Sequence, residues 1–272
     1  MALIIDVETT GLPQRGGLPY GQNPSYEKLH MYDSSRIVQI SMMLCNDKFE
    51  QIEFKDFIVK ADGFTIGNSQ FHGITNEISS NMGIPFYEIA KELSTYLKQV
   101  SHVIAHNANF DTCIINSELY RIGLHNIIDE LKHKNVLCTM KHTKHIVNAK
   151  NKYGVKDPSL SELYHFVIKK NIENAHNSKY DVINLHTIVK TMYDSQKLNY
   201  NELLQYTPQK ATICNNNESV NSIHENPSKV VDLYKLKLTD LQKYCKENDI
   251  KGYSKMNKSA IIKTITDNNQ CR

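Results

Sequence analysis

The sequence predicts an α/β domain followed by a small helical module, and three observations carry that reading. Short apolar runs of strand length recur between residues 3 and 140, and stretches with the three-to-four-residue apolar spacing of helices lie among and beyond them. The first apolar run delivers two carboxylates on alternate positions, Asp6 and Glu8. Beyond about Leu198 the chain turns polar and asparagine-rich, before a pair of short amphipathic segments begins near Val230.

The opening run Leu3-Ile4-Ile5 reads as a buried strand. Side chains alternate along a strand, so Asp6 and Glu8 point to the same side of its sheet. Two acids facing one space repel and lose hydration unless a cation lies between them. Oxygen donors alone favour a hard ion, Mg²⁺ or Mn²⁺, over zinc. By itself the pair is equally consistent with a solvated strand end, so the rest of the chain must supply further acids.

After Leu12 the residues Pro13, Gly16, Gly17, Pro19, Gly21 and Pro24 forbid regular structure throughout. Within this loop Arg15, Tyr20, Tyr26 and Lys28 offer charge and stacking to a nucleic-acid strand; a surface decoration is the alternative. Arg36 to Leu44 and Phe49 to Val59 read as strands, and Phe71 to Thr75 as a turn. Pro85 opens a helix whose apolar side is Phe86, Ile89, Ala90, Leu93 and Leu97.

Val103-Ile104-Ala105 forms a short buried strand that ends at His106-Asn107, with Asn107 placed to cap the next helix. Asp111 falls in the first turn of that helix, and Gly123 stops it. Val136 to Met140 is a last short strand, and Ser159 starts a helix with Glu162 in its first turn. A final helix of this domain follows His176 and carries Asp181 near its start. Further on, Thr239 caps a short helix, Gly252 to Met256 turns the chain, and Lys258 to Thr266 forms another helix. Lys251, Lys255 and Lys258 crowd that turn, as suits a phosphate-contacting module.

With 272 residues and a net charge of +3, the chain has room for one ample domain and a small second one. Its charge permits a polyanionic partner without requiring one. No apolar run approaches the ~20 residues of a membrane span, and the N-terminus lacks a signal pattern. The six cysteines form no Cys-x-x-Cys pair, so they read as reduced packing residues of an intracellular compartment, cytoplasm or nucleus. His142-x-x-His145 has ligand spacing but no acid or cysteine beside it, which favours an exposed basic helix face.

Taken together, Asp6-x-Glu8-Thr9-Thr10-Gly11-Leu12, His106-Asn107-Ala108-Asn109-Phe110-Asp111 and His176-x-x-x-x-Asp181 resemble the three motifs of the DEDDh, or DnaQ-like, 3′–5′ exonucleases. Arg36-Ile37-Val38-Gln39-Ile40 and Phe71-His72-Gly73-Ile74-Thr75 resemble further family segments in the expected order. Asn177 stands where the tyrosine branch would place Tyr, so the resemblance is to the histidine branch. It covers about residues 1–195. The 13–35 loop is longer than usual, and Ser178 stands where the family commonly has Ala.

The resemblance implies an RNase H-like mixed sheet flanked by helices and a two-metal hydrolysis of nucleic-acid ends that uses Mg²⁺ or Mn²⁺. It implies metal ligation by Asp6, Glu8, Asp111 and Asp181, and His176 as general base. Thr10, Leu12, His72 and Asn107 become candidates for holding a terminal nucleotide. The C-terminal segment is similar to SAP and Rho N-terminal modules, small helix-extended-helix nucleic-acid binders. The expected organisation is a nuclease domain at 1–197, a polar linker at 198–229 and the module at 230–272, acting on a single-stranded 3′ end of DNA or RNA. Rival readings are a non-catalytic nucleic-acid-binding protein on the same fold, and a hydrolase of short oligonucleotides or dinucleotides.

Overall fold

The computed structural model describes residues 1–19, 21–172 and 177–196, together with Gln242, Cys245 and Ile261. The chain divides into two units, Met1–Asn216 and Asn217–Arg272. In the first unit β1 (Ala2–Thr9) is followed by a 3-10 turn (Leu29–Tyr32), β2 (Ile37–Cys45) and β3 (Gln51–Ile58). Helices α1 (Ser69–His72), α2 (Asn76–Met82) and α3 (Phe86–Leu97) lead to β4 (His102–Ala105). Then come α4 (Ala108–Arg121), α5 (His125–Lys132), β5 (Asn135–Cys138), α6 (Thr139–His142) and α7 (Lys144–Val147). The two-residue strands β6 (Lys150–Asn151) and β7 (Gly154–Val155) precede α8 (Leu160–Ile168) and α9 (Ser178–Asp194).

Five strands make one mixed sheet in the order β3-β2-β1-β4-β5. β2 pairs antiparallel with β1 and β3, whereas β4 runs parallel to β1 and β5. The strand alternation of two splits the apolar residues between two cores. Leu3, Ile5, Val7, Ile40, Met42 and Val103 face the cluster built with α3, α4 and α5. Ala2, Ile4, Met43, Ile104 and Leu137 face the cluster built with α8 and α9. Helices thus cover both faces, the RNase H-like arrangement, and β1 is buried at the centre of the sheet.

Local departures from the sequence reading have definite causes. Phe49 is a turn residue with φ of 55°, not part of a strand. Its ring is buried and meets Tyr193 edge-on at 5.4 Å, so tertiary packing overrides its strand propensity. The segment around Phe71 is helical: His72 ends α1, Gly73 takes φ of 76°, and the Thr75 hydroxyl caps α2. The 13–35 loop is packed down rather than free. The Tyr32 hydroxyl donates to the Pro24 carbonyl at 2.5 Å, and Tyr26 meets Tyr120 of α4 edge-on at 5.9 Å. Tyr26 is therefore committed to packing, and Tyr20 lies outside the described residues.

One buried ion pair ties this unit across its layers. Arg36, just before β2, donates to Glu118 of α4 through Nε at 2.5 Å and through a second guanidinium nitrogen at 3.1 Å. Its guanidinium also lies 4.4 Å from the centroid of the Phe64 ring. Glu118 accepts the Ile37 N–H as well, at 3.4 Å. Removing one member leaves a buried charge unpaired, so Glu118→Ala is expected to cost about 3–5 kcal/mol in urea denaturation. Arg36→Met combined with Glu118→Leu is expected to recover much of that loss.

Candidate active site

Four acids converge where β1, α4 and α9 meet. Asp6 and Glu8 lie on the α9 side of β1, opposite Ser41 and Gln39 of β2. Asp181 is in the first turn of α9, which Asn177 caps by accepting the Lys179 N–H. Asp111 arrives from the other layer, in the first turn of α4. β1 pairs with β4 only as far as Ile4, and beyond that the Val7 N–H donates to Asp111 Oδ1 at 3.3 Å. The end of β4 thus leaves a strand donor that fixes one oxygen of the helix acid.

Oxygens of Asp6, Glu8 and Asp181 lie within 4.8 Å of one another. Asp111 stands close enough to this trio to interact with it electrostatically. Burial is the main force that lifts the Asp6 carboxyl well above the usual range, with Asp111, Asp181 and Glu8 each adding to it. Glu8 is pushed up to about 7 by burial and then by Asp181. Asp111 is pushed up to about 8 by burial, against the pull of its own and the Val7 N–H groups. Its Oδ2 is buried and has no hydrogen-bond partner. An orphaned carboxylate oxygen beside three other acids is costly unless a cation takes it up. The donors are all oxygen, which fits a hard divalent ion.

A second layer of polar residues holds the start of α9. Gln39 Nε2 donates to Asp56 Oδ1 at 2.8 Å and to the capping Asn177 Oδ1 at 3.4 Å. Ser41 donates to the same Asp56 oxygen at 2.8 Å, so the Ser178 hydroxyl is the donor in the 2.7 Å contact with Ser41. Sequence reasoning missed this network. The available signal was parity, since Gln39 and Ser41 occupy the same face of β2 as the acids do of β1. Ser178 has its partner in Ser41, which accounts for a hydroxyl where the family commonly has Ala.

A model of the exonuclease family named for RNase T matches residues 3–189. The chain belongs to the RNase T exonuclease family. A model of the Rho termination factor N-terminal domain matches residues 232–270, so the C-terminal segment is similar to that module. No curated protein matches the chain in sequence. Among solved structures, the fold is similar to zinc-bound Escherichia coli exonuclease I in complex with single-stranded DNA. That pair shares 17% identity and a TM-score of 0.54 over 75% of this chain and 42% of the other. Exonuclease I of Methylocaldum szegediense gives 16% identity and a TM-score of 0.55 over 75% and 42%. The chain spans under half the length of these relatives.

Within the exonuclease domain the remaining sequence candidates are placed unequally. The Thr10 hydroxyl donates to the Ser34 carbonyl at 3.1 Å and accepts the Arg36 N–H at 2.9 Å. Leu12 follows it and is 67% exposed. Gly11 is required here, because a Cβ would lie 2.8 Å from the Ser34 carbonyl oxygen. Asn107 takes φ of 73° and makes no side-chain cap, which frees its amide from the helix it precedes. His72 is buried, its Nδ1 accepts the Ile74 N–H at 3.1 Å, and Nε2 has no hydrogen-bond partner. His176, Lys251, Lys255 and Lys258 lie outside the described residues.

The raised carboxyls make a stability prediction for the metal-free exonuclease domain. Groups whose folded values exceed their unfolded ones bind more protons when folded, so stability falls as pH rises through the interval. With Glu8 near 7 and Asp111 near 8, the melting temperature in chelator is expected to fall steadily from about pH 4.5 to pH 8. Saturating Mg²⁺ is expected to flatten the decline. Asp6→Asn is expected to raise the chelated melting temperature at pH 8. A flat profile in chelator means that the acids are not held together.

Proposed function

We propose that this chain is a metal-dependent 3′–5′ exonuclease that releases nucleoside monophosphates from DNA or RNA ends. The observation that carries the reading is the quartet Asp6, Glu8, Asp111 and Asp181, with the unpartnered Asp111 Oδ2 among them, inside the segment that matches the exonuclease family. The similarity of the fold to an exonuclease solved with single-stranded DNA supports a single-stranded end as substrate.

The quartet would hold two divalent ions, Mg²⁺ or Mn²⁺, which supply charge stabilisation to the attacking and leaving oxygens. His176, five residues before Asp181, would take the proton of the attacking water, a task that suits an imidazole titrating near neutrality. The water oxygen then bonds to phosphorus. The bond from phosphorus to the 3′ oxygen of the penultimate nucleotide breaks, and that oxygen leaves with a proton. Leu12, Thr10, His72 and Asn107 would position the terminal nucleotide. For Thr10 that role falls to its backbone and methyl group, since its hydroxyl is already paired. Lys251, Lys255 and Lys258 would grip phosphates farther along the strand.

End-labelled single-stranded DNA and RNA, digested in parallel with Mg²⁺ or Mn²⁺, test the reading. Mononucleotides should appear from the 3′ end. Asp6→Asn should abolish release without unfolding the chain, and His176→Ala should slow it by about 10²–10⁴. Turnover by a folded Asp6→Asn protein at the parent's rate would sink the two-metal reading. Binding without any release by the parent would identify a non-catalytic binder.

A further inference from the structure

Between β5 and α8 the chain makes an excursion that is basic throughout. Residues 140–156 contain five lysines and two histidines and no acidic residue. The five lysines alone exceed the +3 net charge of the whole chain. The excursion comprises α6, α7 and the β6–β7 hairpin, in which Lys150 pairs with Val155 and Asn151 with Gly154. Three of its lysines lean on acids: Lys141 and Lys144 share Asp157, and Lys156 meets Glu162. Lys150 and Lys152, both exposed, make no ion pair among the described residues.

The hairpin tip is Lys152-Tyr153. Asn151 and Gly154 occupy the flanking positions that turn chemistry favours, with Gly154 at φ of 114° and the Asn151 side chain accepting the Tyr153 N–H at 2.8 Å. Nothing in the backbone therefore calls for Lys or Tyr at the tip. Tyr153 is nevertheless 85% exposed, with the Lys152 ammonium 4.9 Å from its ring centroid. Folding gains little from an aromatic ring held in water, and a ring beside unpaired lysines suits a stacked base with its phosphates alongside.

Both ends of the excursion are fixed to one residue of the turn that leads from β4 into α4, the helix that carries Asp111. His106 Nδ1 pairs with the Thr139 hydroxyl at 3.0 Å, and Nε2 donates to the Pro158 carbonyl at 3.1 Å. Burial pushes this imidazole down to about 4, so it stays neutral and the two bonds persist through the ordinary pH range. His106 opens the turn out of β4, one residue before Asn107 and five before Asp111. The tip Tyr153 is five residues from Pro158, at most ~18 Å of extended chain from that anchor.

Resting on the exonuclease reading above, we propose that residues 140–156 form an arm that binds single-stranded nucleic acid beside the active site. Tyr153 stacks on a base, and Lys150 and Lys152 contact the neighbouring phosphates.

The test is fluorescence anisotropy of the full chain with a labelled oligo-dT of about 20 nucleotides, in chelator so that no strand is cut, across about 50 to 200 mM salt. Lys150→Ala with Lys152→Ala should raise Kd and lower the slope of log K against log salt by about 1.4, twice the ~0.7 expected per phosphate contact on a single strand. Tyr153→Ala should raise Kd by about fivefold or more and leave the salt slope alone. Lys150→Arg with Lys152→Arg, and Tyr153→Phe, should restore binding, which separates lost contacts from lost fold. Unchanged Kd and slope in the alanine variants, or equal loss in the arginine and phenylalanine variants, would overturn the arm. Mononucleotide release by the parent is measured separately in Mg²⁺. A parent that binds through the arm but releases nothing would refute the exonuclease reading and not the arm.

Discussion

The constraint on which the rest of this unit depends is the crowding of four carboxylates at the end of a buried central strand. Like charges in a partly dehydrated space oppose folding, and the displaced titrations of Asp6, Glu8 and Asp111 express that opposition. The acids come from three elements in two layers. Asp6 and Glu8 are carried by β1, Asp111 by the helix beneath it, and Asp181 by the helix above it. Repulsion among them pushes these layers apart, so each element needs a tie that does not involve the acids themselves, or one that uses a single oxygen and leaves the other open.

Those ties are visible and distinct for each layer. α4 is held by the Arg36–Glu118 pair two turns beyond Asp111 and by the Val7 N–H at Asp111 itself. α9 is held by apolar packing along Val182, Leu185, Ile188 and Val189, and at its start by the chain from Ser178 through Ser41 to Asp56. Arg36 also has a main-chain role, since its N–H and carbonyl bind Thr10 and so fasten the segment leaving β1. One residue therefore links the strand that carries two acids to the helix that carries a third. The two-point geometry of this charged pair gives the tie a direction that apolar contacts lack.

The sequence made the acids legible for a simple reason. Alternation along a strand is obligatory, so Asp6 and Glu8 had to share a face, and helix starts are marked by chemistry that flanks Asp111 and Asp181. What was not legible depends on tertiary partners. Phe49 looks like a strand residue until the core on the α9 side claims its ring. Asn107 has the composition of a cap, yet adopts the left-handed conformation because the chain must turn sharply from β4 into α4. α5 is short, with its apolar residues Ile127, Ile128 and Leu131 closely spaced, too few to announce a period. Ser41 and Asp56 lie in no motif, and Gln39, inside the family-like run Arg36 to Ile40, gives no sign there of its partner Asp56, because a hydrogen bond across strands is written in the register and not in any local run.

The segment after β1 shows how structural and functional demands divide one short stretch. Thr9 donates its hydroxyl to the Gly11 carbonyl at 2.7 Å, and Ser35 donates to the same oxygen at 2.7 Å. Ser34 reaches the Leu12 carbonyl at 2.9 Å. The hydroxyl and N–H of Thr10 and the carbonyl of Gly11 are thus turned toward the Ser34–Arg36 strand entry, which Gly11 approaches so closely that no side chain fits. Leu12 is the residue left over, an apolar side chain held out in water by a rigid backbone. Such a placement leaves the apolar surface of Leu12 in water, where it gains nothing from burial. Under the proposed function, a wedge of Leu12 against the base or sugar of a bound strand end would bury that surface once the end is seated. For that role the hydrogen bonds of the segment would matter as much as exposure, because a segment fixed in advance loses little entropy when a nucleotide arrives.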